Sequence, residues 1–458
     1  MGNSQHLLVF LWIFRVIASD ASDLVITVLS QRNEYSATQS ELLKEDIIGQ
    51  AHDLQRTPPR FLLTHEKNGR EAIRGGWTIY PLVPILYSKF PDAKWYFFCV
   101  ENTAVKLEIL TNVLSRFNSS EPVWLGHALH DAEATIIHHF VSPRKVSYPN
   151  LVSGFVISRV LMKEIRGRIH SGLPSANDFI IDETYEFSNF VMNTGKGQRL
   201  IHQSEFCVTP TSRCATYPKK FPECGNPVPV KNVFFAVKTY NKNHASRIPV
   251  LMKTWLRKTQ HYALFSNKKD TDLENIILVP HTTEGHCLKT YGLLQNSEKL
   301  MKEKNIEWLI IADDDTLLSV DRLMRLLSCY NEKTPMAIGE RYGFRSTEEI
   351  GYDYLTGGAG VVLSLPLVQR ILSSIGCRCP LPTTPDDMFL FGICLSRLGI
   401  PALHAPFFHQ ARPQDYPEDF LASHQPVSFH KFWMIDPVDV YRHWFDGMSD
   451  KIHHTELR

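Results

Sequence analysis

Three consecutive carboxylates, Asp313, Asp314 and Asp315, directly follow the short apolar run at residues 308–312. The run is too short for a buried helix and predicts a central strand, at whose carboxyl end ligands bind in open α/β sheets. Adjacent carboxylates repel one another, and Mn²⁺ or Mg²⁺ relieves that repulsion while bridging to phosphate oxygens. The motif therefore predicts a metal–diphosphate site, with Asp315 as a metal ligand and Asp313 and Asp314 orienting the ligand; the alternative is a solvated acidic turn.

A second acidic pair, Asp386 and Asp387, follows Pro385 at the start of a predicted helix over residues 387–398. The fixed φ of proline suits a helix start, and the helix dipole favours carboxylates there. One of the two carboxylates can cap the helix while the other faces a cleft. We expect the pair to be catalytic with Asp387 as the general base, although a plain N-cap is the alternative.

Basic residues follow another apolar run. Lys238 and Thr239 end that run, Arg247 comes shortly after it, and Lys289 lies further along the chain. Basic groups at a first βα turn suit a nucleotide phosphate or uracil, so we expect these residues to bind a nucleotide donor rather than form solvated surface charge.

Two further features lie near the acidic motifs. Gly357 and Gly358 belong to a small-residue loop, and glycine lets the backbone approach a ligand closely. We expect this loop to form a wall of the donor or acceptor site. His409 follows an apolar strand and is expected to complete the metal shell beside Asp315, with His430 as its competitor.

The chain contains an internal repeat. The stretch at residues 95–103 parallels the stretch at residues 308–316, which lies 213 residues later, and residues 154–158 parallel residues 360–364. Asn177-Asp178 parallels Asp386-Asp387 in the same way. Apolar strands alternate with helical stretches in each copy, which predicts α/β units on mostly parallel sheets.

The first copy lacks most of the carboxylates. It has Val100, Glu101 and Asn102 where the second copy has the three aspartates. We therefore expect the first copy to be non-catalytic. Two interpretations stay open for it, a structural support and an acceptor-binding module.

Length and composition set the outer limits. The 458 residues divide into a predicted signal peptide at 1–22, a first domain at 23–202, a Cys- and Pro-rich linker at 203–230 and a second domain at 231–458. The formal net charge is +1, which does not mark a nucleic-acid binder, and no apolar run is long enough for a transmembrane helix. Most of the nine cysteines are expected to be paired, with disulfides among Cys207, Cys214 and Cys224 and a free Cys99.

These motifs, in this order, resemble the Fringe-like β-1,3-glycosyltransferases. The resemblance spans roughly residues 23–444 and is strongest to members that extend O-linked fucose on thrombospondin type 1 repeats, through residues 130–139, 339–343, 409–413 and 435–438. It implies two tandem GT-A-like domains, the first degenerate. It also implies metal-dependent, inverting transfer of glucose from UDP-glucose in β-1,3 linkage to that fucose, with Asp387 as base and Asp315 as metal ligand.

Two departures from the family accompany the resemblance. Ala411 stands where Fringe-type enzymes have a second histidine after the one that matches His409, and Arg458 follows the leucine that would end a retrieval signal of the endoplasmic reticulum. Residence in the lumen of the endoplasmic reticulum is implied by the resemblance. Alternative functions are a Fringe-like N-acetylglucosaminyl- or galactosyltransferase, and a non-catalytic binding or folding factor for fucosylated repeats.

Overall fold

The structure is a computed structural model that describes residues 21–66, 73–141, 146–172 and 178–446. Nearly all of the predicted signal peptide, Asn177 and the C-terminal tail that ends at Arg458 lie outside these ranges. Within them, no helix combines the length and the apolar character needed to cross a membrane.

The N-terminal half, residues 21–202, contains ten strands and five α-helices in its described part. The strands are β1 Leu24–Val28, β2 Arg60–Leu63, β3 Trp95–Cys99, β4 Thr103–Val105, β5 Trp124–Gly126, β6 Ala128–Leu129, β7 Tyr148–Pro149, β8 Phe155–Ser158, β9 Phe179–Ile180 and β10 Ile201–His202. The helices are α1 Glu34–Asp53, α2 Leu82–Lys89, α3 Leu107–Leu114, α4 Arg159–His170 and α5 Glu183–Met192.

The segment that follows adds strand β11 Thr216–Pro218, and the C-terminal half begins at residue 231. Its strands are β12 Val233–Lys238, β13 His261–Ser266, β14 Ile276–Leu278, β15 Trp308–Asp313, β16 Thr316–Leu318, β17 Ala337–Gly339, β18 Arg341–Phe344, β19 Tyr352–Leu355, β20 Val361–Ser364, β21 Ala402–His404 and β22 Ser428–His430. Its helices are α6 His244–Lys253, α7 Cys287–Lys304, α8 Val320–Leu327, α9 Leu365–Ser373, α10 Asp386–Met388, α11 Cys394–Leu398, α12 Glu418–Ala422 and α13 Pro437–Phe445.

Each half is built on one parallel-rich sheet, as the α/β prediction requires. The first sheet has the order β10-β5-β8-β3-β1-β2, and the second has β14-β13-β12-β15-β20-β17-β21. In both, the strand after the central parallel pair, β8 or β20, runs antiparallel to its two neighbours. Apart from the extra strand β14, the two sheets have the same strand order and directions.

Side chains of β15 show why the central strands are apolar throughout. Trp308, Ile310 and Ala312 pack into the core on one face of the sheet, and Leu309 and Ile311 into the core on the other. Successive residues of a strand point to opposite faces, and both faces are covered here. The strand therefore leads from a dry core directly to the polar residues Asp313–Asp315 at its end.

The predicted helix over residues 387–398 is interrupted. The α-helical turns α10 and α11 flank a π-helical turn at Phe389–Ile393. Gly392 lies in this turn, where a β-carbon would come within 2.7 Å of Tyr354 Cβ. π-Helical turns inside helices often mark functional sites, and this one follows Asp387 immediately.

The two halves are joined by a shared sheet. β18 of the C-terminal half pairs with β9 of the N-terminal half through Gly343↔Ile180 and Phe344↔Phe179, and β19 completes this three-stranded sheet. The Gln31 side chain adds hydrogen bonds to both the backbone N–H and the carbonyl of His404.

Four disulfides hold the described chain. They are Cys207–Cys214, Cys224–Cys329, Cys287–Cys379 and Cys377–Cys394, and Cys99 is free and buried as expected. The expectation that Cys224 pairs within the linker is wrong, because it bonds to Cys329 beyond α8 and fastens the linker to the C-terminal half. Such pairing is typical of proteins that fold in an oxidising compartment.

Candidate active site

Lys238 lies at the centre of the candidate site. It is the last residue of β12 and sits beside Asp313, the last residue of β15. Its Nζ is 3.1 Å from Asp313 Oδ1 and 2.9 Å from Asp386 Oδ2. Burial disfavours the ammonium group, but the two carboxylates outweigh burial and raise the pKa of Lys238. Lys238 thus ties the aspartate triplet to the second acidic pair.

Asp314 organises the cationic side of the site. Its carboxylate is buried and accepts hydrogen bonds from Thr239 Oγ1 at 2.8 Å, Asn243 Nδ2 at 3.0 Å and Arg247 NH1 at 2.6 Å. The same Arg247 nitrogen lies 3.0 Å from Asp315 Oδ2. Both oxygens of Asp314 therefore bind protein donors, so Asp314 fixes Arg247 in place instead of facing a ligand.

His430 completes a possible metal-binding group. Antiparallel pairing of β16 with β22 sets His430 opposite Thr316, and its Nε2 is 3.2 Å from Asp315 Oδ1 and 3.8 Å from Asp313 Oδ2. Its Nδ1 lies 3.0 Å from the Gln410 carbonyl oxygen. A proton on Nδ1 donated to that carbonyl leaves the lone pair of Nε2 directed at the two carboxylates, as in many metal-ligating histidines.

The donor set fits a divalent cation. One ligand atom each of Asp313, Asp315 and His430 lies within 4.8 Å of the others. The site also gathers five carboxyl groups and three basic side chains, namely Asp313, Asp314, Asp315, Asp386 and Asp387 with Lys238, Arg247 and Lys289. Carboxyl groups outnumber basic groups, which favours a bound cation, and oxygen plus imidazole ligands suit Mn²⁺.

The structure does not place His409 among these ligands. His409 is 2% exposed, stacks on Phe429 and lies with its Nε2 2.8 Å from His424 Nε2. Burial and the neighbouring His424 lower its pKa well below the ordinary value, so it is a neutral core residue. His430, its competitor in the sequence, occupies the position beside the aspartates because β22 pairs with β16.

The two loop glycines have different surroundings. A β-carbon on Gly358 would come within 2.4 Å of His430 Cε1, so only glycine leaves room for that imidazole. A β-carbon on Gly357 would meet nothing closer than Lys238 Nζ at 3.5 Å, so a small side chain would fit at this buried position. The imidazole of His430 therefore requires glycine at position 358, whereas Gly357 lies next to Lys238.

Asp387 has the environment of a general base. Burial, and next the charge of Asp386, raise the pKa of Asp387 to about 6. Its Oδ1 accepts a hydrogen bond from the Met388 backbone at 2.7 Å. Asp386 is already engaged by Lys238 and Thr290, which leaves Asp387 as the carboxylate able to take a proton.

The loop that carries the acidic pair is fixed to α7. The Asp386 backbone N–H donates to the Gly285 carbonyl at 2.7 Å, and Cys287–Cys379 bonds the first residue of α7 to the same loop. Gly285 has φ +69°, and a β-carbon there would come within 2.2 Å of the Thr383 carbonyl. The position of Asp387 is therefore set by covalent and backbone contacts.

Lys289 lies on the first turn of α7, and its Nζ donates to the carbonyl of Thr239. Burial and the nearby Lys238 lower the pKa of Lys289. Asn243 and Thr290 are site residues that the sequence reasoning missed. Asn243 precedes Arg247 by four residues, so helical spacing could have indicated it, whereas Thr290 is adjacent to Lys289 and no spacing signal marks it.

Comparisons with known proteins give a consistent result. The profile of the Fringe-like family matches residues 228–455. The chain is 42% identical to a beta-1,3-glucosyltransferase from Mus musculus over 93% of this chain and 87% of that protein. It is 41% identical to the Homo sapiens protein of the same name, over 93% of this chain and 85% of the relative.

More distant matches cover less than half of the chain. The Danio rerio protein named beta-1,3-N-acetylglucosaminyltransferase manic fringe is 26% identical over 43% of this chain and 63% of its own length. A solved glycosyltransferase involved in the glycosylation of the major capsid of PBCV-1 matches 40% of this chain and 83% of that chain at 14% identity. The TM-score of that match is 0.26.

Proposed function

The chain belongs to the Fringe-like family and is a β-1,3-glycosyltransferase, and from this premise we propose that it transfers glucose from UDP-glucose to O-linked fucose on thrombospondin type 1 repeats. The observation that carries the proposal is the bridge made by Lys238 between Asp313 and Asp386. This bridge holds the aspartates that could bind a metal and diphosphate next to the acidic pair that could accept a proton. The names of the mouse and human relatives support glucose as the sugar.

The donor side consists of the metal-binding group and its cations. Asp313, Asp315 and His430 would hold Mn²⁺ or Mg²⁺, which when bound would neutralise the charge of the leaving diphosphate. Lys289 and Arg247 lie beside this group and would contact the phosphates or the uridine. Gly357 leaves space for the donor sugar.

The acceptor side is Asp387. A single displacement with inversion needs a base for the attacking hydroxyl and no nucleophile from the protein. The 3-hydroxyl of fucose would lose its proton to an Asp387 oxygen as its own oxygen bonds to C1 of glucose and the bond from C1 to UDP breaks. Asp386 accepts a hydrogen bond from Lys238, and its charge helps to raise the pKa of Asp387.

The wider assignments belong to the same proposal. We assign residues 23–202 and 231–458 to two GT-A-like domains joined by the linker at 203–230, with only the second catalytic, and the matching strand orders of the two sheets support this assignment. Disulfides and the acceptor class support work in the lumen of the endoplasmic reticulum.

A donor panel tests the proposal. Purified protein is incubated with an O-fucosylated thrombospondin repeat and UDP-glucose, UDP-N-acetylglucosamine or UDP-galactose, with Mn²⁺ or EDTA. We expect Mn²⁺-dependent transfer of glucose, loss of transfer in Asp315→Asn, and normal transfer in Asp272→Asn, which alters an exposed aspartate of the same half. Transfer from another donor reassigns the enzyme within the family, and transfer that persists in EDTA contradicts the metal assignment.

A further inference from the structure

The two halves can be compared residue by residue through their strand registers. Leu24 of β1 pairs with Trp95 of β3, as Val233 of β12 pairs with Trp308 of β15. Strand β4 pairs with β11 as β16 pairs with β22. By these registers Asp313, Asp315 and His430 correspond to Val100, Asn102 and Pro218, and Lys238 corresponds to Leu29. The N-terminal half therefore lacks the three metal-binding side chains and the lysine that bridges them to the acidic pair.

The acidic pair, in contrast, persists. Helix α5 begins at Glu183 with Asp182 as its N-cap, and α10 begins at Asp386. Each of these helices follows the antiparallel strand and its helix, β8–α4 or β20–α9. The sequence match is therefore with Asp182-Glu183, and the earlier match with Asn177-Asp178 is displaced by a few residues. Burial and the adjacent Asp182 raise the pKa of Glu183 to about 7, the same two causes that act on Asp387.

Glu183 lines a cavity of about 890 Å³ between the two halves. Ser30 and Asn102, which follow β1 and β3, line it at the carboxyl end of the first sheet, where α/β sheets bind ligands. The C-terminal half closes it with Arg341 and Tyr352. The volume lies in the range of small-molecule sites, roughly 300–1,000 Å³.

The lining selects the chemistry of a ligand. The lining has six acidic side chains, Glu101 and Glu183 among them, and six basic ones that include Arg341, so neither sign of charge dominates. The Trp77 and Tyr352 rings give apolar surface. Among the residues that the structure describes, Arg341 Nε is buried without a hydrogen-bond partner. A neutral ligand rich in hydroxyl groups can bind the carboxyl groups and the guanidinium of this lining together, because hydroxyls both donate and accept.

We propose that this cavity is a second carbohydrate site, in which Glu183, Asn102 and Arg341 bind a neutral pyranoside that receives no sugar there. The N-terminal half lacks side chains that could hold a metal and a diphosphate, so it would not transfer a sugar. It keeps an acidic pair, which can still bind a sugar hydroxyl. The site depends on the proposed function only in the choice of probes, which are methyl α-L-fucoside, methyl β-D-glucoside and the methyl glycoside of their β-1,3-linked disaccharide.

Ligand-observed NMR titration of the full chain tests this. We expect Glu183→Gln to weaken binding of at least one probe about tenfold, because a charge-assisted hydrogen bond is lost. The same loss is expected in an Asp387→Asn background, which removes the base of the other site. Glu164→Gln, the matched change at an exposed glutamate of α4, should leave binding unchanged. Asn102→Ala serves as a second variant in case Glu183→Gln fails to fold.

The outcomes separate the two proposals. Equal probe binding in wild type, Glu183→Gln and Asn102→Ala overturns the second site, as does absence of binding by every probe in Asp387→Asn. Loss of binding in Glu183→Gln by a protein that transfers no glucose supports the second site and contradicts the proposed function alone. Transfer to methyl α-L-fucoside, measured in the same samples, reports on the active site independently.

Discussion

Replacing Asp387 by asparagine removes the proposed general base and keeps the shape of the side chain. Asparagine has nearly the same shape, and its Oδ1 can keep the 2.7 Å hydrogen bond from the Met388 backbone. General bases contribute about 10²–10⁴ in rate. We therefore expect kcat to fall by about 10²–10⁴, or roughly 3–5 kcal/mol of barrier, with UDP affinity within about twofold of wild type because Asp387 lies on the acceptor side.

The same change should stabilise the fold. The pKa of Asp387 is raised from 3.8 to about 6, so the folded state binds its proton more tightly than the unfolded chain. Ionised Asp387 then destabilises the fold above pH 6, and this cost fades as the pH falls from about 6 to 3.8. Two pKa units correspond to about 3 kcal/mol, which partial exposure of the side chain reduces to about 1–3 kcal/mol.

Two measurements check this reasoning. Thermal unfolding at pH 7 and pH 4 should show Asp387→Asn with the higher Tm at pH 7 and a smaller difference at pH 4. Wild-type kcat should decrease tenfold per pH unit below about pH 6, where Asp387 becomes protonated. Asp272→Asn controls for loss of one exposed charge. Near-normal turnover of Asp387→Asn would refute the assignment of the base, and an unchanged Tm would refute its burial in the ionised form.

Three further predictions concern the metal and the loop that carries the base. His430→Ala should raise the Mn²⁺ concentration for half-maximal activity at least tenfold, and an unchanged requirement would remove His430 from the ligands. Gly358→Ala should do the same, since its β-carbon would lie 2.4 Å from His430 Cε1, whereas Gly357→Ala should leave Mn²⁺ binding, measured without donor, unaltered. Cys379→Ser opens a disulfide with a sequence separation of 92 and should lower the free energy of unfolding by about 2–5 kcal/mol in a denaturant titration and decrease kcat; equal stability would show that the bond does not constrain the loop.

Local pattern was sufficient to predict the strand ends. Lys238 and Asp313 each end an apolar run, and a run of that length and composition is a buried strand whatever surrounds it. Since parallel neighbours end at the same edge, the position of the basic residue beside the aspartates follows from the sequence. The parallel-rich α/β architecture was confirmed by the observed sheets, and the family by the comparisons with known proteins.

Long-range register was beyond the reach of the sequence. Both His409 and His430 follow apolar segments, and only the pairing of β22 with β16 brings one of them to Asp315. The start of α5 at Glu183 likewise depends on how the chain returns from α4. Sequence similarity alone favoured Asn177-Asp178 as the counterpart of Asp386-Asp387. Such choices depend on contacts between segments distant in the chain, which periodicity does not encode.

The pairing of β9 with β18 has a consequence for biosynthesis. A ribosome completes Phe179–Ile180 long before it makes Arg341–Phe344, so the N-terminal half is finished while the edge of β9 is still unpaired. An unpaired edge is open to wrong partners, and long-range strand pairing is slow to form. The nascent first half must therefore wait for the second, and we expect the chain to mature as one unit whose early intermediate depends on chaperones until β18 arrives.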